Sequence, residues 1–412
     1  MPISHSSDVH GVAPAFSPIE VPADARCVRA GTGRRDGEPL VTPLVQSTTF
    51  CREGLASDPP HKYSRESNPS VAELEAVLGD LEGAQALAFA TGLAAEACLF
   101  QTLLNAGDRV VCARAVYGGT TRALEQVFSR FGVVTEFVDA SDIGAIRAAL
   151  QQPTRLLFLE TPANPTLDLT DIRAASEAAH AVGALVAVDN TFLTPVLQQP
   201  LELGADISVI STTKFVEGHS VAPGGALVTR DEELLDELFF VRKCTGGIQT
   251  PLHAWLTLQG LKTLPLRIAR QSESAARIAE WLHGQPQVAR VAYPGLATGE
   301  QARLAAAQHR GAHGAVVSFE LNGGYDQAVR FASAIRGIRL VEHVGAVETL
   351  LTHSASMTHG GVSPEARRAA GIDEGLLRLS VGLEGVDGLL EELHEALVAS
   401  EVPAELVAGG VA

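Results

Sequence analysis

Between residues 69 and 83 the apolar positions fall at helical spacing. In SVAELEAVLGDLEGA, Val71, Leu74, Val77, Leu78 and Leu81 share one face, and Gly83 ends the run. The period then changes. ALAFA (86–90), RVVCA (109–113), TEFVD (135–139), RLLFLE (155–160), ALVAVD (184–189) and ISVIS (207–211) are short apolar runs that predict strands. Amphipathic stretches such as LTDIRAASEAAHAVG (169–183), closed by a glycine, separate several of them. Continuous rather than alternating apolar strands, with helices between, predict an α/β protein whose mostly parallel sheet is covered on both faces.

The pattern is different at either end. Residues 1–60 are rich in Gly, Pro and Ser and have little periodicity, which predicts an extended arm lying on a neighbouring subunit. Residues 61–262 are expected to form the large domain, which would bind the cofactor. Residues 263–412 are expected to form a smaller α/β domain, entered by the helical run LPLRIARQSESAARIAEWLHGQ (264–285). It contains the strand candidates AVVSFEL (315–321) and GIRLVEH (337–343), and then the helix VDGLLEELHEALVAS (386–400).

Composition narrows the function classes. A net charge of −17 offers no basic footprint for nucleic acid or an anionic membrane surface. Cys27, Cys51, Cys98, Cys112 and Cys244 are odd in number and scattered, which argues against a disulfide framework or a zinc site. His353 and His359 lie six apart with no third ligand in view, so no metal is expected. No export signal or membrane-length apolar stretch is apparent, and the expected location is cytoplasmic.

In open parallel sheets ligands sit beyond the carboxyl ends of the strands. RLLFLE is followed by TPANPT, ALVAVD ends at Asp189, and ISVIS leads into Thr212-Thr213-Lys214. A lysine amine in a semi-apolar cleft can form a Schiff base with an aldehyde. A buried aspartate can keep a pyridinium nitrogen protonated, and hydroxyls with helix-start N–H groups can hold a phosphate. Those are the demands of pyridoxal 5'-phosphate. Taken singly, the same residues have plainer readings: Lys214 as a solvated helix start, Asp189 and Asn164 as caps or turn formers, Gly92 as turn relief and Arg378 as a structural ion pair.

In the order YSRESNPS, ATGLAA, YGGTTR, ETPANPT, VDNTF, STTKFVEGHS and LRLSVGLE, the chain resembles the Cys/Met-metabolism enzymes that use pyridoxal phosphate, from about Thr42 to Leu397. The resemblance implies the PLP-dependent transferase fold (aspartate aminotransferase-like, fold type I), with a seven-stranded-type sheet domain and a smaller C-terminal domain. It implies that Lys214 carries the cofactor as an internal aldimine and that Asp189 pairs with the pyridinium nitrogen. Tyr117 is expected to stack on the ring and carry protons. Thr91, Gly92, Leu93, Ser211 and Thr213 would hold the phosphate, joined by Tyr63 and Arg65 from an adjacent subunit of a homotetramer. Asn164 would lie near the phenolic oxygen, and Arg378 would clamp the α-carboxylate of a small amino-acid substrate.

Among the reactions of such enzymes, the expected one is γ-replacement on an O-acylhomoserine by cysteine to give cystathionine, through a vinylglycine-type intermediate. Cystathionine γ-lyase and O-acylhomoserine sulfhydrylase are the close alternatives. Glu342 matches γ-acting members, Gly119 stands where methionine γ-lyases have cysteine, and Arg122 matches a residue near the distal end of substrate. The departures are Lys62 in place of an acid, His343 in place of a serine, and Val221-Ala222 where an aspartate is common. A noncatalytic cofactor-binding protein would lack Lys214, Asp189 or Tyr117, and all three are present.

Overall fold

The computed structural model describes residues 22–33 and 36–401. The first part of the expected arm and the last residues of the expected C-terminal domain lie outside them. Two sheets organise the chain. The first has seven strands: β1 (Gln85–Phe89), β2 (Arg109–Ala113), β3 (Val134–Val138), β4 (Leu156–Glu160), β5 (Leu185–Asp189), β6 (Ile207–Ile210) and β7 (Gly225–Thr229). Their spatial order is β1-β7-β6-β5-β4-β2-β3. Strands β6, β5, β4, β2 and β3 are parallel, and β7 is antiparallel to both β6 and β1. Because β1 and β6 both oppose β7, they run the same way, and the carboxyl ends of β1, β2, β4, β5 and β6 share one edge.

The apolar runs became strands because both faces are covered. Every residue of β4 and β7 is buried, and in β5 only the first is not. Each fully buried Leu, Val or Phe contributes about 1.5–3 kcal/mol. Strand β7, GALVT, was not anticipated, because its leading glycine lies in a Gly/Pro-rich stretch that reads as a loop. That glycine is a packing requirement: a Cβ on Gly225 would stand 2.4 Å from the Thr91 carbonyl oxygen and 2.7 Å from the Gly92 Cα.

The second sheet is β10-β11-β12-β9-β8, built from β8 (Val288–Ala292), β9 (Val316–Leu321), β10 (Arg339–Leu340), β11 (Leu350–His353) and β12 (Leu376–Ser380). The expected strand 337–343 shrinks to the two-residue edge β10, and the chain beyond Leu340 leaves the sheet for a turn at the first sheet's carboxyl edge. The helices Pro69–Glu82, Leu264–His283 and Val386–Glu401 match their sequence patterns closely. Asn68 caps the first by accepting from Ser70 N–H, and Gly83 ends it at φ +60°. Within residues 23–28 a short helix buries Cys27 in the core, whereas Leu40 and Leu55 in the following segment are exposed. Among the described residues, no helix is long and apolar enough to cross a membrane.

Candidate active site

At the shared carboxyl edge lies a cleft of about 370 Å³, and the ends of five strands deliver residues to it. Thr91, Gly92 and Leu93 follow β1, Tyr117 follows β2, Glu160 ends β4, Asp189 ends β5, and Ser211, Thr213 and Lys214 follow β6. Of the other expected residues, Asn164, Arg122, Glu342 and Arg378 line the same cleft.

Lys214 is held from behind. Buried Arg267 donates to the carbonyls of Phe215 (2.7 Å), Val216 (3.1 Å) and Gly260 (2.8 Å), fixing the backbone just after the lysine. Gly345, at φ +87°, packs against the same segment, and a Cβ there would lie 2.5 Å from Phe215 N and 3.1 Å from Lys214 Cα. Burial, then the nearby Arg378 charge, lower the Lys214 amine to about 8, with Asp189 acting in the opposite direction. An amine near 8 is uncharged in an appreciable fraction of molecules at neutral pH, which suits a nucleophile or base.

Asp189 is buried, accepts from Thr191 N–H at 2.9 Å, and has its carboxyl raised by burial, with Thr191 and Lys214 opposing. Two further carboxyls, Glu96 and Glu160, line the cleft and were missed in the sequence. Glu160 accepts from Tyr117 N–H at 2.7 Å, which anchors the backbone of that tyrosine, and burial raises its carboxyl well above the usual range. Burial and the Asp189 charge push Glu96 up to about 8. Glu160 was legible in principle, since it ends a predicted strand directly before TPANPT. Glu96 lies inside a helix and carries no such signal.

Thr91, Gly92, Leu93, Ser211 and Thr213, the candidates for holding a phosphate from this chain, line one part of the cleft. Thr91 caps the helix Gly92–Leu103 by accepting from Ala94 N–H at 3.0 Å. A Cβ on Gly92 would meet Ser211 Cβ at 2.9 Å, so the helix start and the turn after β6 touch only because this residue is glycine. Thr213 Oγ1 donates to the Gly224 carbonyl and accepts from its N–H, both at 2.9 Å.

On the opposite wall, buried Arg378 donates from Nη1 to Asn164 Oδ1 (2.7 Å) and from Nη2 to the His343 carbonyl (3.2 Å) and Thr352 Oγ1 (3.3 Å). Burial lowers its guanidinium to about 10, with Glu160 opposing. His343 does not line the cleft wall, but its Nδ1 lies 3.1 Å from Lys214 Nζ. Tyr63 and Arg65 are not brought to this cleft. Both are exposed, with the guanidinium 5.3 Å from the Tyr63 ring centroid and Nη1 donating to the Lys243 carbonyl. Lys62 pairs with Asp58. Val221 is exposed and Ala222 buried, both away from the cleft lining. His353 is engaged with Ser356 Oγ and the Glu374 carbonyl, and His359 with the Val116 carbonyl. Among the described residues no group of three or more His, Cys, Asp or Glu is placed to hold a metal.

A part-neutral lysine at the carboxyl edge of a mostly parallel sheet, between a buried acid and a helix N-terminus, defines a site for an aldehyde-bearing phosphate cofactor. Residues 24–398 match the family described as Cys/Met metabolism PLP-dependent enzyme. The chain is 41% identical over 385 residues to the O-succinylhomoserine sulfhydrylase of Pseudomonas aeruginosa, covering 91% of this chain and 95% of that protein. It is 43% identical over 357 residues to the cystathionine γ-synthase of Mycobacterium tuberculosis, covering 86% and 91%. A crystal structure of cystathionine γ-synthase from Xanthomonas oryzae pv. oryzae, in complex with aminoacrylate and cysteine, superposes with a TM-score of 0.90 at 40% identity. The match covers 93% of this chain and 99% of that one. This chain belongs to the Cys/Met-metabolism family of pyridoxal-phosphate-dependent enzymes, and pyridoxal phosphate is its cofactor. The residues present fit the group: an amine for the aldehyde, a buried acid for the ring nitrogen, and free N–H groups with hydroxyls for the phosphate.

Proposed function

We propose that the chain catalyses γ-replacement on O-succinylhomoserine, with cysteine thiolate displacing succinate to give cystathionine. The observation that carries this reading is that Arg378 and Arg122 both line the cleft that contains Lys214. A substrate with a carboxylate at each end, as in a succinyl ester of homoserine, satisfies both guanidiniums.

In this reading the bound cofactor supplies the electron sink that makes the Cα proton acidic. Lys214 carries the cofactor and, once its amine is free, removes protons at Cα and then Cβ of the substrate. Asp189 would hold the ring nitrogen, its negative charge favouring the protonated form. Tyr117, 37% exposed and tied through its backbone to Glu160, would pack on the ring and move protons at its phenolic oxygen. Gly92, Leu93, Ser211 and Thr213 would hold the phosphate, and Asn164, which accepts from Arg378, would contact the phenolic oxygen. Arg378 orients the α-carboxylate so that the Cα–H bond faces the lysine. The bond from Cγ to the ester oxygen breaks, the sulfur–Cγ bond forms, and succinate carries away the electron pair. Tyr63 and Arg65 reach the phosphate of a neighbouring copy within a homotetramer, which accounts for their exposure on their own chain.

A second reading, with sulfide as the nucleophile and homocysteine as the product, is favoured by Lys62. Where the resemblance expects an acid for the distal ammonium of cysteine or cystathionine, position 62 carries an ammonium, and the neighbouring Asp58 is already paired with it. The test is to offer holoenzyme O-succinylhomoserine with cysteine and sulfide together and to separate the products by mass spectrometry. Cystathionine as the main product supports the proposal and homocysteine supports the second reading. Formation of 2-oxobutanoate alone means elimination and overturns both.

A further inference from the structure

His343 stands where the sequence resemblance expects serine, and its surroundings give it a specific partner. The turn that carries it is clamped at several points. Its carbonyl accepts from Arg378 Nη2 at 3.2 Å, Gly345 N–H donates to Ser380 Oγ at 2.8 Å, and Gly345 itself presses on the Lys214 backbone. With both backbones fixed, the 3.1 Å separation of His343 Nδ1 from Lys214 Nζ is a built contact between the turn after β10 and the turn after β6. Nothing else competes for the ring, since its Nε2 is buried without a hydrogen-bond partner.

We propose that His343 is a positioning residue for Lys214: its Nδ1 accepts a hydrogen bond from the amine whenever that amine is not joined to the cofactor. The contact holds the base beside the substrate and raises its affinity for a proton. This rests on the reading of Lys214 as the cofactor-bearing residue.

The imidazole suits that task because it stays neutral. Burial, then the positive charges of Lys214 and Arg378, lower it to about 4, so its lone pair is available at neutral pH. An imidazolium would have no lone pair and would repel the ammonium. The other charged groups around the amine are Arg378 from β12 and Asp189 from β5, with Glu96 and Glu160 beyond Asp189 and Glu342 on the cleft wall. Among these Asp189 already favours the ammonium and Arg378 opposes it. A neutral acceptor at His343 adds a charge-assisted bond to the ammonium, a stronger contact than the one it makes to the uncharged amine. Once Lys214 has taken a proton from substrate, that bond keeps it from swinging away before the proton is delivered.

The test uses the full-length chain freed of cofactor and mixed with pyridoxal phosphate across the neutral to alkaline range. The growth rate of the absorbance band of the covalent linkage follows the fraction of Lys214 that is uncharged. The wild-type midpoint is expected below the ordinary lysine range, because burial and the Arg378 charge disfavour the ammonium. Removing the acceptor with His343→Leu, or with the smaller His343→Ala if the first does not fold, lowers that midpoint by about one pH unit, the effect of a lost hydrogen bond to a charged group. His343→Asn, whose amide oxygen reaches the position of Nδ1, restores it. A midpoint that does not move in the acceptor-free chain, or an Asn variant that behaves like it, overturns the proposal. Lys214→Ala runs in the same series. A band that persists there removes the reading of Lys214 itself, whereas a lost band with unmoved His343 variants removes only this proposal.

Discussion

Arg378 Nη1 donates to Asn164 Oδ1 across 2.7 Å, and this buried bond joins the second sheet to the loop after β4 of the first. It aims the guanidinium before any substrate arrives. The Arg378 Nε atom is buried without a partner, so the group retains donor capacity.

Replacing Arg378 with lysine keeps a positive charge but loses the planar fork. Removing one member of a buried, hydrogen-bonded charge pair costs about 2–5 kcal/mol. The expected result for Arg378→Lys is a fall in kcat/KM of roughly 100-fold or more, with the visible absorbance of the bound cofactor retained. Steady-state kinetics and an absorbance spectrum of the same preparation check both halves.

Gly345→Ala should damage stability and activity together. The residue sits at φ +87°, and the new Cβ would press on Phe215 N and Lys214 Cα. A loss of about 1–3 kcal/mol in unfolding free energy is expected, with kcat lowered at least tenfold. Gly385→Ala is the matched control. Its Cβ would meet nothing within 4 Å, and a change within about 0.5 kcal/mol is expected.

Arg122 bears on the acyl group. Arg122→Gln should raise KM for O-succinylhomoserine about tenfold or more while leaving KM for O-acetylhomoserine nearly unchanged, because only the succinyl ester carries a distal carboxylate. Equal effects on both esters would place the role of Arg122 elsewhere.

Much of this site was legible because strand ends are a sequence feature. The apolar runs fixed where β4, β5 and β6 stop, and Asp189 and Lys214 follow from those stops. Glu96 was not legible, because an acid on a helix reads as a solvated face until the packing of that helix is known. Arg267 was hidden for the same reason: its partners are carbonyls more than fifty positions away in sequence or seven positions back on the preceding helix, Pro251–Leu261. Strand β7 was masked by Gly225, whose missing side chain is what lets the strand pass Thr91. The 337–343 segment looked like a strand throughout, yet the strand ends at Leu340 and the turn that follows brings Glu342 to the cleft and His343 against Lys214.

Glu82 provides a pH test away from the site. It is 1% exposed, accepts from Ser208 Oγ at 2.7 Å, and burial raises its carboxyl to about 7. A folded-state value above the unfolded one stabilises the fold below the unfolded carboxyl range, and this contribution is lost as pH rises through about 7. Ionisation of Glu82 in the fold therefore costs about 3 kcal/mol at alkaline pH. Urea unfolding of Glu82→Gln and wild type across pH should show the variant gaining relative stability as pH rises from about 4.5 to about 7, with the difference levelling off above that. A constant difference would contradict the assignment.

The central claim is that Lys214 carries the cofactor, and the sequence makes it directly measurable. The other lysines are Lys62, Lys243 and Lys262, of which Lys62 and Lys243 form partly exposed ion pairs with Asp58 and Glu66. Borohydride reduction of holoenzyme fixes the cofactor to whichever amine holds it, and peptide mass spectrometry locates it. The account predicts the pyridoxyl group on Lys214. Its recovery on any other lysine, with Lys214 unmodified, would contradict the site as drawn.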